Sequence, residues 1–130
     1  MGPEDVVRAM LEAWGRLDVA DIVSFFATDA VYENVRIGAA TGQDEIRAAF
    51  TRFTSHMTFF DAETVHLAVV GNIVLAERID HLVSSGTTMD VRGVGVFEVA
   101  DGKIKAWRDY FPSSVNGRSG PSLSPGSSSG

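Results

Sequence analysis

Apolar residues recur every three or four positions at three places in the first half of the chain, a spacing typical of amphipathic α-helices. We expect a first helix at residues 3–17, where a proline and two acidic residues suit the first turn. A shorter helix is expected at residues 19–26, capped by Asp18. Thr41 or Gly42 is expected to cap a third helix. The buried stripe of this third helix is Ile46, Ala49, Phe50 and Phe53.

The pattern changes to an alternation of apolar and polar residues from Thr58 onward, which is the period of a β-strand. Asp101-Gly102 is the strongest hairpin signal, because such pairs adopt the left-handed backbone of a two-residue turn. One short strand is expected earlier, before a turn-like stretch at residues 38–42. The predicted strands cover residues 30–35, 58–69, 72–83, 89–100 and 103–111.

The order of these elements, helix, helix, strand, helix and then four strands joined by short turns, predicts an α+β fold. We expect a curved, mostly antiparallel sheet wrapped around the helices. Gly93 and Gly95, inside one predicted strand, mark the expected bend. A sheet bent in this way encloses a conical pocket, which suits one small ligand.

The C-terminal segment, residues 112–130, contains 8 Ser, 4 Gly and 3 Pro. A segment with so few core-forming side chains does not repay the entropy of ordering it, so we expect a flexible tail. Residues 1–111 are enough for one hydrophobic core and too few for two. We therefore predict a single cone-shaped catalytic domain at residues 1–111.

The composition narrows the classes of function. The chain has 11 Lys and Arg against 17 Asp and Glu, a net charge of −6, which disfavours binding to nucleic-acid phosphates. No apolar run is long enough to span a membrane, and the N-terminus lacks a signal peptide's basic start. The absence of cysteine removes disulfides and thiol chemistry and fits a reducing compartment. We expect a cytoplasmic protein with neither a nucleic acid nor a membrane as partner.

Three predicted strands place polar residues on faces that are otherwise apolar. Residues two apart in a strand share a face, so each set points to one side of the sheet. A charge on an apolar face is costly unless a partner compensates for it. The three sets are Tyr32 with Asn34, Arg78 with Asp80, and Trp107 with Asp109 and Phe111.

The charged members of these sets can form an acid and a base. Asp109 has the most apolar same-face neighbours of any acid in the chain, and Arg78 and Asp80 share an otherwise apolar stripe. An arginine between two acids can keep one ionised while the other holds a proton, so that one pocket contains a base and an acid at neutral pH. The alternative, a buried structural ion pair, accounts for the strand pattern equally well.

No cofactor or metal motif accompanies these residues. Gly93 and Gly95 lie inside a strand with no helix to follow, so they do not form a dinucleotide loop, and there is no Walker loop or Gly-x-Ser-x-Gly elbow. His56, His66 and His81 are 10 and 15 positions apart, which is not a metal-ligand spacing. His81 is also expected to face away from Arg78 and Asp80. We expect no metal and no cofactor.

Five segments form a recognisable set: Tyr32-Glu33-Asn34, Glu77-Arg78-Ile79-Asp80, Gly93-Val94-Gly95-Val96-Phe97-Glu98-Val99, Asp101-Gly102-Lys103-Ile104 and Trp107-Arg108-Asp109-Tyr110-Phe111. In order and spacing they resemble the limonene-1,2-epoxide hydrolases. That family is a branch of the cone-shaped fold shared with nuclear transport factor 2, ketosteroid isomerase and the SnoaL-like polyketide cyclases. The resemblance extends from about Leu11 to Phe111.

The resemblance implies a role for each polar residue. Asp80 would be the general acid that protonates the epoxide oxygen, and Asp109 the base that deprotonates the attacking water. Arg78 would bridge the two carboxylates, while Tyr32 and Asn34 would hold the water. The implied reaction is a one-step opening to a vicinal diol, with no covalent enzyme intermediate. Epoxide carbon becomes electrophilic as its oxygen is protonated, so this reaction needs an acid and a base on opposite sides of the substrate.

The resemblance also implies a small or medium apolar substrate, an alicyclic or terpenoid epoxide, and a homodimer paired through the outer sheet face. Two alternatives remain: a ketosteroid-isomerase-like or polyketide-cyclase-like proton-shuttling enzyme, and a non-catalytic cone that binds a small ligand. An arginine between two acids argues against the first, and two acids on apolar faces argue against the second.

The chain departs from the family at residues 35–40, which lack its proline-rich stretch, and after Phe111, where the tail replaces its helical continuation.

Overall fold

The structure, a computed structural model, describes residues 1–112 of the chain. Its helices and strands confirm the predicted α+β class. The predicted tail, apart from Pro112, lies outside the described residues. The elements are α1 (Pro3–Trp14), α2 (Val19–Val23), β1 (Phe26–Asn34), β2 (Gly38–Thr41), α3 (Gln43–Thr54), β3 (Met57–Val70), β4 (Ile73–Ser84), β5 (Thr87–Ala100) and β6 (Lys103–Tyr110).

The strands form one curved sheet in the order β2-β1-β6-β5-β4-β3. Neighbouring strands are antiparallel except β1 and β6, which run parallel, so the prediction of a mostly antiparallel sheet is confirmed. The turn between β5 and β6 is the predicted Asp-Gly pair, with φ of 54° at Asp101 and 74° at Gly102. Both angles are positive, as the favoured two-residue hairpin turn requires.

The helices cover the inner face of this sheet and enclose the core. α1 buries residues spaced three and four apart, including Met10 and Trp14. Trp14 packs edge-on against Phe50 of α3, with ring centroids 5.0 Å apart. Burial of each such side chain contributes about 1.5–3 kcal/mol. Within the part of the chain that the structure describes, no helix is long and apolar enough to cross a membrane.

Two predicted helix ends and one predicted turn are wrong, and β1 begins four residues earlier than predicted. α1 ends at Trp14, because the backbone N–H groups of residues 15–17 bond three residues back and not four, and Leu17, with φ of 54°, cannot continue a helix. α2 ends at Val23, and Phe26 instead begins β1 and pairs with β6. The stretch Gly38–Thr41, expected as a turn, is strand β2 because it pairs with β1. In each case pairing or backbone geometry overrides a local pattern.

Candidate active site

A cavity of about 240 Å³ lies between the inner face of the sheet and the helices. Most of its lining side chains are apolar, including Leu11, Phe53 and Met89. The structure brings all the predicted site residues to this cavity. The polar side chains that line it are Tyr32, Asn34, Arg78, Asp80 and Asp109.

Strand register explains why side chains that are distant in sequence meet here. Asn34 on β1 pairs with Asp109 on the parallel strand β6. On its other side Asp109 pairs with Gly95 of β5. Because Gly95 has no side chain, Arg78 of β4 reaches across β5 to the carboxylate of Asp109.

Arg78 forms a bidentate pair of hydrogen bonds with each of the two aspartates, Asp80 and Asp109. We call this arrangement the Arg78 fork. Its Nε and Nη2 donate to Oδ1 and Oδ2 of Asp80 at 2.9 and 3.1 Å. Its Nη1 and Nη2 donate to Oδ1 and Oδ2 of Asp109, both at 2.8 Å. Arg78, Asp80 and Asp109 are 3%, 5% and 2% exposed. A planar guanidinium suits this arrangement, since it can bind two carboxylates bidentately at once.

Burial and charge give the members of this fork different protonation behaviour. Burial raises the pKa of Asp80 above its ordinary value, although the charge and hydrogen bonds of Arg78 oppose the shift. Burial alone would lower the pKa of Arg78, but the charges of Asp109 and Asp80 raise it above its ordinary value. Arg78 therefore stays charged, while Asp80 retains a proton to a higher pH than an ordinary aspartate.

Tyr32 and Asn34 supply neutral polar groups beside Asp109. Burial raises the pKa of Tyr32, and the charge of Asp109 raises it further, so the phenol remains protonated and able to donate. Oδ1 of Asn34 accepts a hydrogen bond from the backbone N–H of Arg36 at 3.0 Å. This contact orients the Asn34 amide at the wall of the cavity.

Trp107 makes a contact in the candidate site that the sequence pattern does not predict. We expected it to be an apolar flank of Asp109, but its Nε1 donates to Asp109 Oδ1 at 2.7 Å. The guanidinium carbon of Arg78 also lies 5.6 Å from the centroid of the Trp107 ring. The signal was present in the sequence, because residues two apart on a strand face can touch through long side chains. Asp109 is thus held by donors from two residues.

The outer face of the sheet carries a second charged cluster. His81 contacts Asp90 Oδ1 through Nδ1 at 2.7 Å and Glu63 Oε1 through Nε2 at 2.8 Å. Its side chain is 34% exposed, and the expectation that it faces away from Arg78 and Asp80 is confirmed. Among residues 1–112, no three or more His, Asp or Glu side chains are arranged to hold a metal ion.

The geometry of the cavity supports acid–base chemistry on one small apolar molecule. It places two carboxylates around a fixed positive charge, with neutral donors on the side of Asp109. Groups with shifted pKa values in an apolar cavity are typical of active sites, although structural ion pairs also shift pKa values. The arrangement can therefore deliver a proton from Asp80 and accept one at Asp109.

Sequence comparison identifies related proteins. The family model described as the limonene-1,2-epoxide hydrolase catalytic domain matches residues 2–114. The chain is 32% identical over 105 residues to the epoxide hydrolase EphG of Mycobacterium tuberculosis, a match that covers 81% of this chain and 70% of that protein.

Structure comparison gives the same family and a wider fold group. An LEH-like epoxide hydrolase of M. tuberculosis is 31% identical with a TM-score of 0.74, over 83% of this chain and 80% of the other. A protein with a ketosteroid isomerase-like fold from Catenulispora acidiphila is 22% identical with a TM-score of 0.78, over 88% and 90% of the two chains. A putative SnoaL-like polyketide cyclase from Shewanella denitrificans is 16% identical with a TM-score of 0.78, over 85% and 90%. The last two show the fold alone.

Proposed function

The chain belongs to the limonene-1,2-epoxide hydrolase family, and on that premise we propose that it adds water to an apolar epoxide in one step to give a vicinal diol. We propose that it does so without a cofactor or metal. The observation that carries the proposal is the buried fork in which Arg78 contacts both Asp80 and Asp109 at the wall of an apolar cavity.

In the proposed step, the oxygen of water forms a bond to one epoxide carbon while the bond from that carbon to the epoxide oxygen breaks. Asp109 accepts a proton from the water, and Asp80 gives its proton to the epoxide oxygen. Asp109 then holds a proton and Asp80 is ionised, and proton exchange with solvent restores the starting state. Arg78 contacts both carboxylates, so its charge stabilises whichever of the two is ionised.

The surroundings of each carboxylate support the proposed assignment of Asp80 as the acid and Asp109 as the base. The raised pKa of Asp80 keeps its carboxyl group protonated at a higher pH than usual, as a proton donor requires. Asp109 accepts hydrogen bonds from Arg78 and from Trp107, which hold its carboxylate in a fixed position at the cavity.

We propose that Tyr32 and Asn34 hold the attacking water beside Asp109. Strand pairing supports this role for Asn34, since it lies next to Asp109 across β1 and β6. Both side chains line the cavity. A water fixed by two neutral groups and one carboxylate loses less entropy in the reaction than a free water does.

The proposed substrate is a small or medium alicyclic or terpenoid epoxide. The cavity volume of about 240 Å³ lies below the ~300–1,000 Å³ of sites for drug-sized ligands, which favours a compact substrate. The apolar lining favours a hydrocarbon ring or chain around the epoxide. Polar groups are concentrated where the reaction would occur.

We also propose that the protein is a cytoplasmic homodimer that pairs through the outer sheet face. Exposed apolar side chains support this arrangement: Leu75, Val94 and Tyr110 are 38%, 37% and 46% exposed. Their strands β4, β5 and β6 are neighbours in the sheet. Light scattering after size-exclusion chromatography should give twice the chain mass.

Incubation with limonene oxide, cyclohexene oxide and styrene oxide tests the activity, with diol measured by chiral gas chromatography. We expect the wild type to convert at least one of them, and the Asp109→Asn variant, purified in the same way, controls for contaminating hydrolases. No diol from any of the three, together with tight binding of the same compounds, would instead support a non-catalytic binding protein. Isomerisation of 5-androstene-3,17-dione would support a ketosteroid-isomerase-like enzyme.

A further inference from the structure

We propose that Gly95 is a positioning residue for the reaction, because the absence of a side chain at this position lets the Arg78 guanidinium lie against strand β5. The inference rests on the proposed function of the Arg78 fork and adds a residue to it. The sequence predicts a bend at Gly93 and Gly95. Their surroundings add a further feature, since both positions leave room for specific side chains.

The space around Gly95 is filled by two side chains. A Cβ built at this position would lie 2.9 Å from Nη1 of Arg78 and 2.8 Å from Cε1 of Phe97. Real Cβ atoms essentially never approach other atoms within 3.0 Å, so a methyl group here would displace one or both neighbours. Nη1 is the atom that donates to Asp109 Oδ1 at 2.8 Å, so its displacement acts directly on the proposed base.

The guanidinium has little freedom to move elsewhere. Arg78 is 3% exposed, and its Nε is held by Asp80 at 2.9 Å. Its guanidinium carbon lies 5.6 Å from the Trp107 ring centroid and 5.7 Å from that of Phe111. Movement away from position 95 must therefore lengthen the contact with Asp109 or disturb these aromatic neighbours.

Gly93 offers a matched comparison on the same strand. Like Gly95 it faces inward, but a Cβ built here would lie 2.5 Å from Cε1 of Phe111, an apolar wall of the cavity. Alanine at position 93 should therefore act on Phe111, so that it changes how the substrate fits and reaches Arg78 only through that ring, whereas alanine at position 95 should meet the Arg78 guanidinium directly and change its alignment with Asp109. The two variants add the same methyl group to the same face.

Steady-state kinetics with cyclohexene oxide test the proposal. We expect Gly95→Ala to lower kcat by about 100-fold with KM within about twofold of wild type, as expected for misplacement of catalytic groups by about 1 Å. Gly93→Ala should mainly raise KM. Phe97→Leu removes the other neighbour of position 95 and supplies the reference kcat for the double variant, since Phe97 also stacks on Trp107. Relative to Phe97→Leu, the double variant Gly95→Ala/Phe97→Leu should still show the loss in kcat. Wild-type kcat in Gly95→Ala, or its recovery in the double variant, would overturn the proposal.

A stability measurement separates this inference from the proposed function. In the Phe97→Leu background, Gly95→Ala should lower the urea midpoint of unfolding, because the methyl group still meets Arg78. When Arg78→Lys is added to that background, the guanidinium is gone and the loss of midpoint caused by Gly95→Ala should be much smaller. An equal loss in both backgrounds would contradict the proposed role of Gly95. If the wild type opens no epoxide, the proposed function fails, and this comparison alone decides the role of Gly95.

Discussion

The two faces of strand β4 carry similar arrangements of side chains, each with one basic side chain between two acidic ones. The hydrogen-bond lengths are nearly the same, 2.8–3.1 Å inside and 2.7–2.8 Å outside. The inner cluster is Arg78 with Asp80 and Asp109, and the outer cluster is His81 with Glu63 and Asp90.

What separates the two clusters is burial. The side chain of Arg78 is 3% exposed and that of His81 is 34% exposed. Water and salt screen the outer contacts, whereas inside the protein the same contacts act at a lower effective dielectric. Desolvation raises the pKa of Asp80, one residue away from His81 in sequence. Contact geometry alone therefore does not distinguish a candidate active site from a solvated surface.

The largest difference in kcat between variants of the inner and outer clusters should come from substitution of their carboxylates. Asp80→Asn and Asp109→Asn should each lower kcat by about 100- to 10,000-fold, because the first removes the proton donor and the second removes the base. Asp90→Asn changes a carboxylate of the outer cluster in the same way and should retain wild-type kcat. Circular dichroism checks that all three variants fold. Substantial turnover by either inner variant would contradict the assignment.

The next largest effect concerns the cation of the inner cluster. Arg78→Ala should abolish turnover and lower the free energy of unfolding by about 3–5 kcal/mol, because it leaves buried carboxylates without a counter-charge. Urea unfolding at neutral pH measures the loss. Unfolding at a pH low enough to protonate both aspartates serves as the control. There the loss of unfolding free energy caused by Arg78→Ala should be smaller. A stability equal to wild type would show that Arg78 does not compensate for the buried charges.

The pH dependence should follow the raised pKa of Asp80. The protonated form is the proposed donor, so kcat/KM should fall as pH rises through that pKa, which lies above the ordinary range of aspartate. The free energy of unfolding that protonated Asp80 contributes should also fall as pH rises. The contribution from protonated Asp80 is complete below the pKa of an unfolded aspartate and is lost as pH rises through the folded value. Urea midpoints of wild type and Asp80→Asn across this range measure the difference, and identical profiles would contradict the pKa shift.

The smallest effect is expected at the outer cluster. His81→Gln should leave kcat unchanged, because the side chain is on the face away from the cavity. Hydrogen bonds with Glu63 and then Asp90 raise the pKa of His81, so its contribution to stability is complete below the ordinary histidine pKa and is lost as pH rises through the raised value. Thermal melts with and without 1 M NaCl should show that salt weakens this contribution. A large fall in kcat would mean that the outer cluster acts on the site.

Periodicity predicted much of the candidate site, because alternation along a strand decides which side chains share a face. Tyr32 with Asn34, and Arg78 with Asp80, could be grouped on this basis. That all of them reach one cavity depends on the order of the strands, which is not encoded in any local pattern. The family resemblance supplied that step.

Features that depend on pairing between distant segments could not be predicted. Phe26 fits the spacing of a helix, yet it begins β1 because it pairs with β6. The parallel pairing that places Asn34 beside Asp109 joins segments about 75 residues apart in the chain. The role of Gly95 appears only when the side chains packed against it are known.

The most direct test of the central claim is a single turnover in ¹⁸O-labelled water, with enzyme in excess over cyclohexene oxide. If water attacks the epoxide directly under the control of Asp80 and Asp109, the diol from the first turnover carries one ¹⁸O and the protein carries none. Unlabelled diol from the first turnover, with ¹⁸O in a carboxylate of the protein, would show a covalent ester intermediate and contradict the account. Mass spectrometry of the diol and of peptides that contain Asp80 and Asp109 distinguishes the two results.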